Sequence, residues 1–302
     1  EAWRALEDAG HAGPALDGRS VGVFVGCAEG DYYDLVREAG RLYTPHAFMG
    51  AATAILAARI AYHLNLRGPA LAVDTACSAS LVSLHLACES LRRGECEMAL
   101  AGGVYAMATP RLHLLASSAG MLSPSGRCHA FGAAADGFVP AEAVGAVLLR
   151  PLADAIADGD AIRAVIEASG INQDGRTSGI TAPSAPSQTA LELDVYRRFD
   201  IDPAGIGYVE THGTGTRLGD PIEVEALTAA FRRHTAARGF CRLGSVKSNL
   251  GHAQLAAGIV GFIKLVLALE RGVIPPTLHV DETNPELALD DSPFVLARSA
   301  EP

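Results

Sequence analysis

The chain has 302 residues, 49% apolar and 19% charged, with a formal net charge of −10. That composition buries a large core and excludes a disordered chain, and the acidic balance excludes the basic footprint that nucleic acid needs. The longest apolar run, 255–269, contains Lys264 and is too short and too charged to span a bilayer, so a buried core helix and no membrane partner are expected.

In chain order, Glu1–Ala9 reads as a helix stopped by Gly10, and the sequence is expected to begin inside a domain. Ser20–Gly26 (SVGVFVG) is a buried strand, Asp31–Ala39 a short helix, and Ala47–Asn65 one longer helix ended by Arg67-Gly68-Pro69. Ala70–Asp74 is a strand that leads into Cys77. A helix follows, with Leu81, Leu84, Cys88 and Leu91 at helical spacing, closed by Arg92-Arg93-Gly94. Glu97–Val104 is a strand and 107–137 a long irregular loop, of a length more often functional than filler. Ala143–Leu149, Leu152–Asp158 and Ala161–Ile171 read as strand, helix and strand; Asn172–Gln188 is polar and turn-rich, and Ala190–Phe199 helical. Gly207–Glu210 then leads to Thr211-His212-Gly-Thr-Gly-Thr216, with the next helix opening at Asp220 as N-cap, Pro221 and Glu223. Arg242–Val246 leads to Lys247-Ser-Asn-Leu-Gly-His252 and a helix to Arg271, and Phe294–Ala297 is a last strand. Strands alternating with helices imply an α/β architecture with active groups at strand ends.

Cys77 falls at a strand-to-helix turn among Ala76, Ser78 and Ala79, which leave its sulfur open to a carbonyl. The unpaired N–H groups and positive end of the helix favour a thiolate there. A thiol that ordinarily titrates near ~8.5 is brought toward ~3.5–7.5 in such places. The six cysteines (27, 77, 88, 96, 128, 241) include no C-x-x-C pair, which points to reduced thiols in a cytoplasmic setting. His212 and His252 stand just beyond strands as Cys77 does, so only the fold can bring the three together. His212 sits in a Gly/Thr loop, and His252 is read at a helix start, where the dipole disfavours the imidazolium. Two neutral imidazoles suit stabilisation of an enolate better than metal binding, and no short-spaced ligand set for zinc occurs. Lys247 and Lys264 are the only lysines among 24 basic residues, so each marks a place that wants a compact ammonium.

Asp74-Thr-Ala-Cys77-Ser-Ala-Ser, His212-Gly-Thr-Gly-Thr216 with Gly219-Asp-Pro-Ile-Glu223, and Lys247-Ser-Asn-Leu-Gly-His252 resemble the three signature blocks of β-ketoacyl synthases, the ketosynthase domains of modular polyketide synthases. Ala119-Gly-Met-Leu-Ser-Pro, Asn172-Gln-Asp-Gly and Ile274-Pro-Pro-Thr-Leu-His extend the resemblance almost end to end. It implies a thiolase-like α/β fold of two fused βαβ-rich halves, about 1–154 and 155–302, in αβαβα layers, with 1–302 a single ketosynthase domain truncated at both ends. It implies a homodimer, an acyl carrier protein as partner, neighbouring polyketide synthase domains and an acyltransferase, the trans-acyltransferase branch being weakly favoured by Gly137-Phe-Val-Pro140 and 111–116. It also implies that no cofactor is tightly bound and that phosphopantetheine arrives on the carrier.

By the same resemblance Cys77 takes the acyl chain, His212 and His252 hold the malonyl thioester carbonyl during decarboxylation, and Lys247 sets the field around them. Thr214 and Thr216 touch the pantetheine arm, and Met121 lines the substrate pocket. The family's closing Gly/Phe-rich block and opening strand are missing, so the fragment itself is expected to be an incomplete catalyst. Alternatives left open are a non-elongating gate that transfers or holds acyl chains, a cysteine hydrolase using Cys77 with one histidine, and a structural dimerisation module.

Overall fold

The computed structural model describes all 302 residues, Glu1–Pro302, which form two compact units. The first comprises Glu1–Leu115, Ala141–Val165 and Ala253–Ile263; the second comprises Ala116–Pro140, Ile166–His252 and Lys264–Pro302.

The first unit contains α1 (Ala2–Asp8), β1 (Val21–Gly26), α2 (Tyr32–Glu38), α3 (Pro45–Ala51), α4 (Thr53–His63), β2 (Ala70–Val73), α5 (Ala79–Arg92) and β3 (Met98–Tyr105). After α6 (Arg111–Ser118) it is completed by β4 (Ala143–Leu149) and α7 (Leu152–Asp158). Its sheet runs β2-β1-β3-β4, with β1 parallel to β2 and β3, and β4 antiparallel to β3. The unbroken apolar run of β1 suits a strand covered on both faces, and Val21, Val23 and Phe24 are at most 1% exposed. β2 lies at the edge, and its four residues are exposed or half-buried. A Cβ on Gly26, the last residue of β1, would lie 2.6 Å from the Ser80 backbone nitrogen. Only glycine lets the first turn of α5 settle this closely on the strand, and that seat fixes where Cys77 stands.

The second unit contains α8 (Ala185–Phe199), β5 (Tyr208–Glu210), α9 (Gly219–Phe231), β6 (Cys241–Gly244), α10 (Lys247–Leu250), most of α11 (Ala257–Arg271) from Lys264 onward, and β7 (Phe294–Leu296). Its sheet is parallel throughout in the order β5-β6-β7. Phe231, Leu243, Phe294, Val224 and Tyr196 form the core between this sheet and the α8 and α9 helices.

Five sequence expectations change. The single helix over 47–65 is two, because Ala52 is extended (φ −67°, ψ 117°) and Thr44 caps α3 early by accepting the Ala47 N–H at 3.2 Å. The 107–137 loop contains α6. Residues 161–171 form no strand, since none pairs with them in a ladder. α8 starts five residues early, where Ser184 accepts the Ser187 N–H and proline occupies the first turn. The helix expected to start at His252 starts later: Lys247–Leu250 forms the short α10, and a 3-10 turn at Gln254–Ala256 precedes α11.

Candidate active site

Val73 ends β2, and the Asp74 carboxylate then accepts the Ala76 N–H at 3.1 Å, an Asx-type turn. Ala76 is held at φ +54°, a left-handed conformation that alanine adopts only under constraint. Cys77 follows within a 3-10 turn, Ala76–Ser78, that runs straight into α5. The thiol is half-buried and donates to Gln254 Oε1 at 3.9 Å. Gln254 is itself left-handed at φ +47°. Left-handed non-glycine backbone thus stands immediately before the cysteine and at the residue that accepts its thiol.

In the second unit the loops after β5 and β6 bring His212 and His252 together, their rings edge to face with centroids 5.4 Å apart. The Phe138 ring stands edge-on to His252 at 5.3 Å, and the His252 N–H donates to Val139 O at 2.7 Å. Lys247 is 4% exposed, and its Nζ donates to His212 O at 2.5 Å. Burial, Lys247 and the neighbouring imidazole push His212 well below the ordinary histidine range, although one side of the residue stays open to solvent. Burial and then Lys247 bring His252 down to about 3. Both rings are held in the neutral form, in which an imidazole carries one N–H donor and one acceptor nitrogen. His252 is not at a helix start, as expected from sequence; it lies between α10 and the 3-10 turn. Burial and Lys247, rather than a helix dipole, keep it neutral.

Asp220 and Glu223 are not the helix caps that the sequence suggests. They sit inside α9, which begins at Gly219, and reach back to the histidine loop. Glu223 accepts the N–H groups of His212 at 2.6 Å and Gly213 at 2.9 Å; Asp220 accepts those of Phe131 at 2.8 Å and Gly215 at 3.2 Å. Burial raises Glu223 to about 7 and Asp220 to about 6, against the backbone hydrogen bonds that favour their ionised forms. Ser245 ties the next loop in by donating to Gly213 O at 2.7 Å. The signal for Asp220 and Glu223 was present as acids following a Gly/Thr loop, but helix-start chemistry explained it equally well.

Thr214 is buried and Thr216 half-buried, and their hydroxyls meet at 3.2 Å. Met121 is 47% exposed, and its carbonyl accepts the Phe138 N–H at 3.1 Å. No three His, Cys, Asp or Glu side chains converge as a metal-ligand set.

The fold is α/β, with a cysteine in a strained turn at a helix entrance in the first unit and two imidazoles backed by a lysine in the second. Residues 1–155 match the Beta-ketoacyl synthase, N-terminal domain, and residues 163–281 the Beta-ketoacyl synthase, C-terminal domain. The chain is 52% identical over 293 residues to polyketide synthase ThaG of Burkholderia thailandensis, covering 97% of this chain and 5% of that protein. It is 46% identical over 301 residues to a phenolphthiocerol/phthiocerol polyketide synthase of Mycobacterium tuberculosis, covering 100% of this chain and 19% of that protein. Among solved structures, the ketosynthase from module 6 of the bacillaene synthase of Bacillus subtilis is similar with a TM-score of 0.95 at 46% identity, covering 100% of this chain and 52% of the other. An oxazolomycin ketosynthase domain of Streptomyces albus gives a TM-score of 0.92 at 40% identity, covering 99% of this chain and 53% of the other. The chain belongs to the β-ketoacyl synthase family, as a ketosynthase of the polyketide synthase kind. It spans a twentieth to a fifth of those two relatives and about half of the two solved chains.

Proposed function

We propose that this ketosynthase elongates a polyketide chain by decarboxylative Claisen condensation. The observation that carries the reading is the His212–His252 pair, 5.4 Å apart and held neutral, with Lys247 tied to the His212 backbone. Chain order supports joint action with the nucleophile, since Gln254, which receives the Cys77 thiol, is the second residue after His252.

The Cys77 sulfur attacks the thioester carbonyl of an acyl group carried on phosphopantetheine; the acyl–sulfur bond of the carrier breaks, and the carrier leaves as a free thiol. The positive end of α5 and the Cys77 N–H favour the anions formed here. A malonyl or substituted malonyl carrier then presents its thioester carbonyl to the two imidazoles. The bond to its carboxylate breaks, CO₂ leaves, and the electron pair becomes an enolate whose oxygen accepts the two N–H groups. The enolate carbon attacks the Cys77 acyl carbon, a carbon–carbon bond forms, and the cysteine sulfur departs to regain a proton. The product is a β-ketoacyl carrier. A neutral donor suits this step because it steadies the oxyanion without surrendering a proton to the carbon that must react.

Thr214 and Thr216 serve the amides of the pantetheine arm in this reading, and Met121 the acyl pocket. Acyl carrier protein, a second copy of the chain, an acyltransferase and neighbouring synthase domains are its partners, and the cytoplasm its compartment. No helix is long and apolar enough to cross a membrane. The test is to load Cys77 with an acyl thioester in the full natural polypeptide, add malonyl carrier and weigh the carrier. Elongation gives the β-ketoacyl mass; retained acyl-enzyme would make the protein a gate, and released free acid a hydrolase.

A further inference from the structure

Tyr208 and Glu210 are the first and last residues of β5 and share one face of the strand. Their side chains meet Lys264 of α11 in an enclosed cluster. Lys264 Nζ donates to Glu210 Oε2 at 2.6 Å and to the Tyr208 hydroxyl oxygen at 2.8 Å, and that hydroxyl donates to Glu210 Oε2 at 2.6 Å. The Lys264 and Glu210 side chains are 11% and 8% exposed. β6 makes room for the cluster, because a Cβ on Gly244 would lie 2.3 Å from the Tyr208 hydroxyl oxygen and 3.0 Å from its ring. A buried ion pair built with this care adds little stability over an apolar packing of the same shape, so its retention calls for another role.

The second carboxylate oxygen supplies that role. Glu210 Oε1 accepts the Val246 N–H at 2.6 Å, and Val246 is the residue from which α10 begins with Lys247. Lys247 Nζ in turn donates to the carbonyl of His212, two residues after Glu210. The contacts close a ring: Glu210 fixes Val246, Val246 places Lys247, and Lys247 grips the loop that Glu210 itself precedes.

We propose that Glu210 is a positioning residue for the condensation, with Lys264 and Tyr208 holding its carboxylate so that Lys247 and His212 stay in register. The proposal rests on the functional reading above. Glu210 touches no reacting atom; it acts through the Val246 N–H. Lys264 neutralises Glu210 within the cluster, and the Lys247 ammonium keeps its field on the imidazoles.

Two double variants of the full natural polypeptide separate this role from stability. Glu210→Gln with Lys264→Met and Glu210→Leu with Lys264→Met both remove the ion pair at similar volume, and only the first keeps an oxygen opposite the Val246 N–H. The leucine variant is expected to lose about 10- to 100-fold in condensation kcat, the scale for misplaced catalytic groups, with carrier KM and Cys77 acylation unchanged. The glutamine variant stays within about threefold of the parent because the hydrogen bond to Val246 survives. NMR of the His212 and His252 rings should show displaced resonances in the leucine variant alone. Equal kcat and equal ring resonances in the two variants, or losses that follow thermal stability only, would overturn the proposal. If the parent forms no β-ketoacyl product, the functional reading fails, while the ring resonances still decide the positioning role.

Discussion

His252 shows how far burial changes one side chain. Its folded-state pKa of about 3 lies below the ordinary 6.5, so between those values the unfolded chain binds the extra proton and stability falls as pH drops through the window. Asp220 and Glu223 act in the opposite sense. Their folded values of about 6 and about 7 lie above 3.8 and 4.5, so the stability they contribute is present at low pH and lost as pH rises through those windows. A His252→Gln variant should therefore lose less stability than the parent on acidification below pH ~6.5, by about 1.4 kcal/mol per pH unit. Urea unfolding at a series of pH values checks this, and parallel curves would contradict it. Glu223→Gln places an NH₂ group against one of two backbone N–H groups, His212 or Gly213, and should destabilise the fold by ~1–3 kcal/mol while slowing condensation. A melt and a turnover assay on the same sample measure both. Cys77, His212 and His252 could be singled out in the sequence because each follows an apolar strand, and Lys247 because lysine is rare in this chain. Glu210, Phe138 and Gln254 were not, because their roles come from contacts with residues distant in sequence.

At the scale of elements, the sequence reads well where a run is apolar and bounded. β4 and α7 fall where their periodicity and flanking residues put them, and β1 and β3 come within a residue or two. It reads poorly where a tertiary contact decides. The break at Ala52 has no local breaker at that residue, and the alternation of 161–171 is not a strand without a neighbour to pair with. His252 escaped its expected helix because Gly251 turns the chain at φ +86° and Val139 takes the His252 N–H. The seating of α5 is testable here. Gly26→Ala drives a methyl into the Ala79–Ser80 backbone and should cost ~1–3 kcal/mol, with slower Cys77 acylation even where the fold survives. Denaturant unfolding and the rate of acyl-enzyme formation give the two readouts. Ser184→Ala, which removes the cap of α8, should cost ~1 kcal/mol and leave acylation untouched.

At the scale of the whole chain, Cys77 belongs to the first compact unit, and His212, His252 and Lys247 belong to the second. Each unit builds its contribution from a strand end followed by a short turn, which is why the order of elements already pointed to an α/β enzyme. Charge within the longest apolar run argues against a membrane span, and no helix of the structure is long and apolar enough to cross a membrane. The acyl group accepted, its length and its substituents belong to pocket shape, which motifs at strand ends do not encode. The most direct measurement follows CO₂ released from a malonyl carrier labelled at its free carboxyl, with Cys77 already acylated. Labelled CO₂ should appear in step with the β-ketoacyl carrier, and His252→Ala should abolish both while Cys77 still acylates. Undiminished condensation in that variant, or no labelled CO₂ from the parent, would contradict the assignment of neutral imidazoles as the groups that make the enolate.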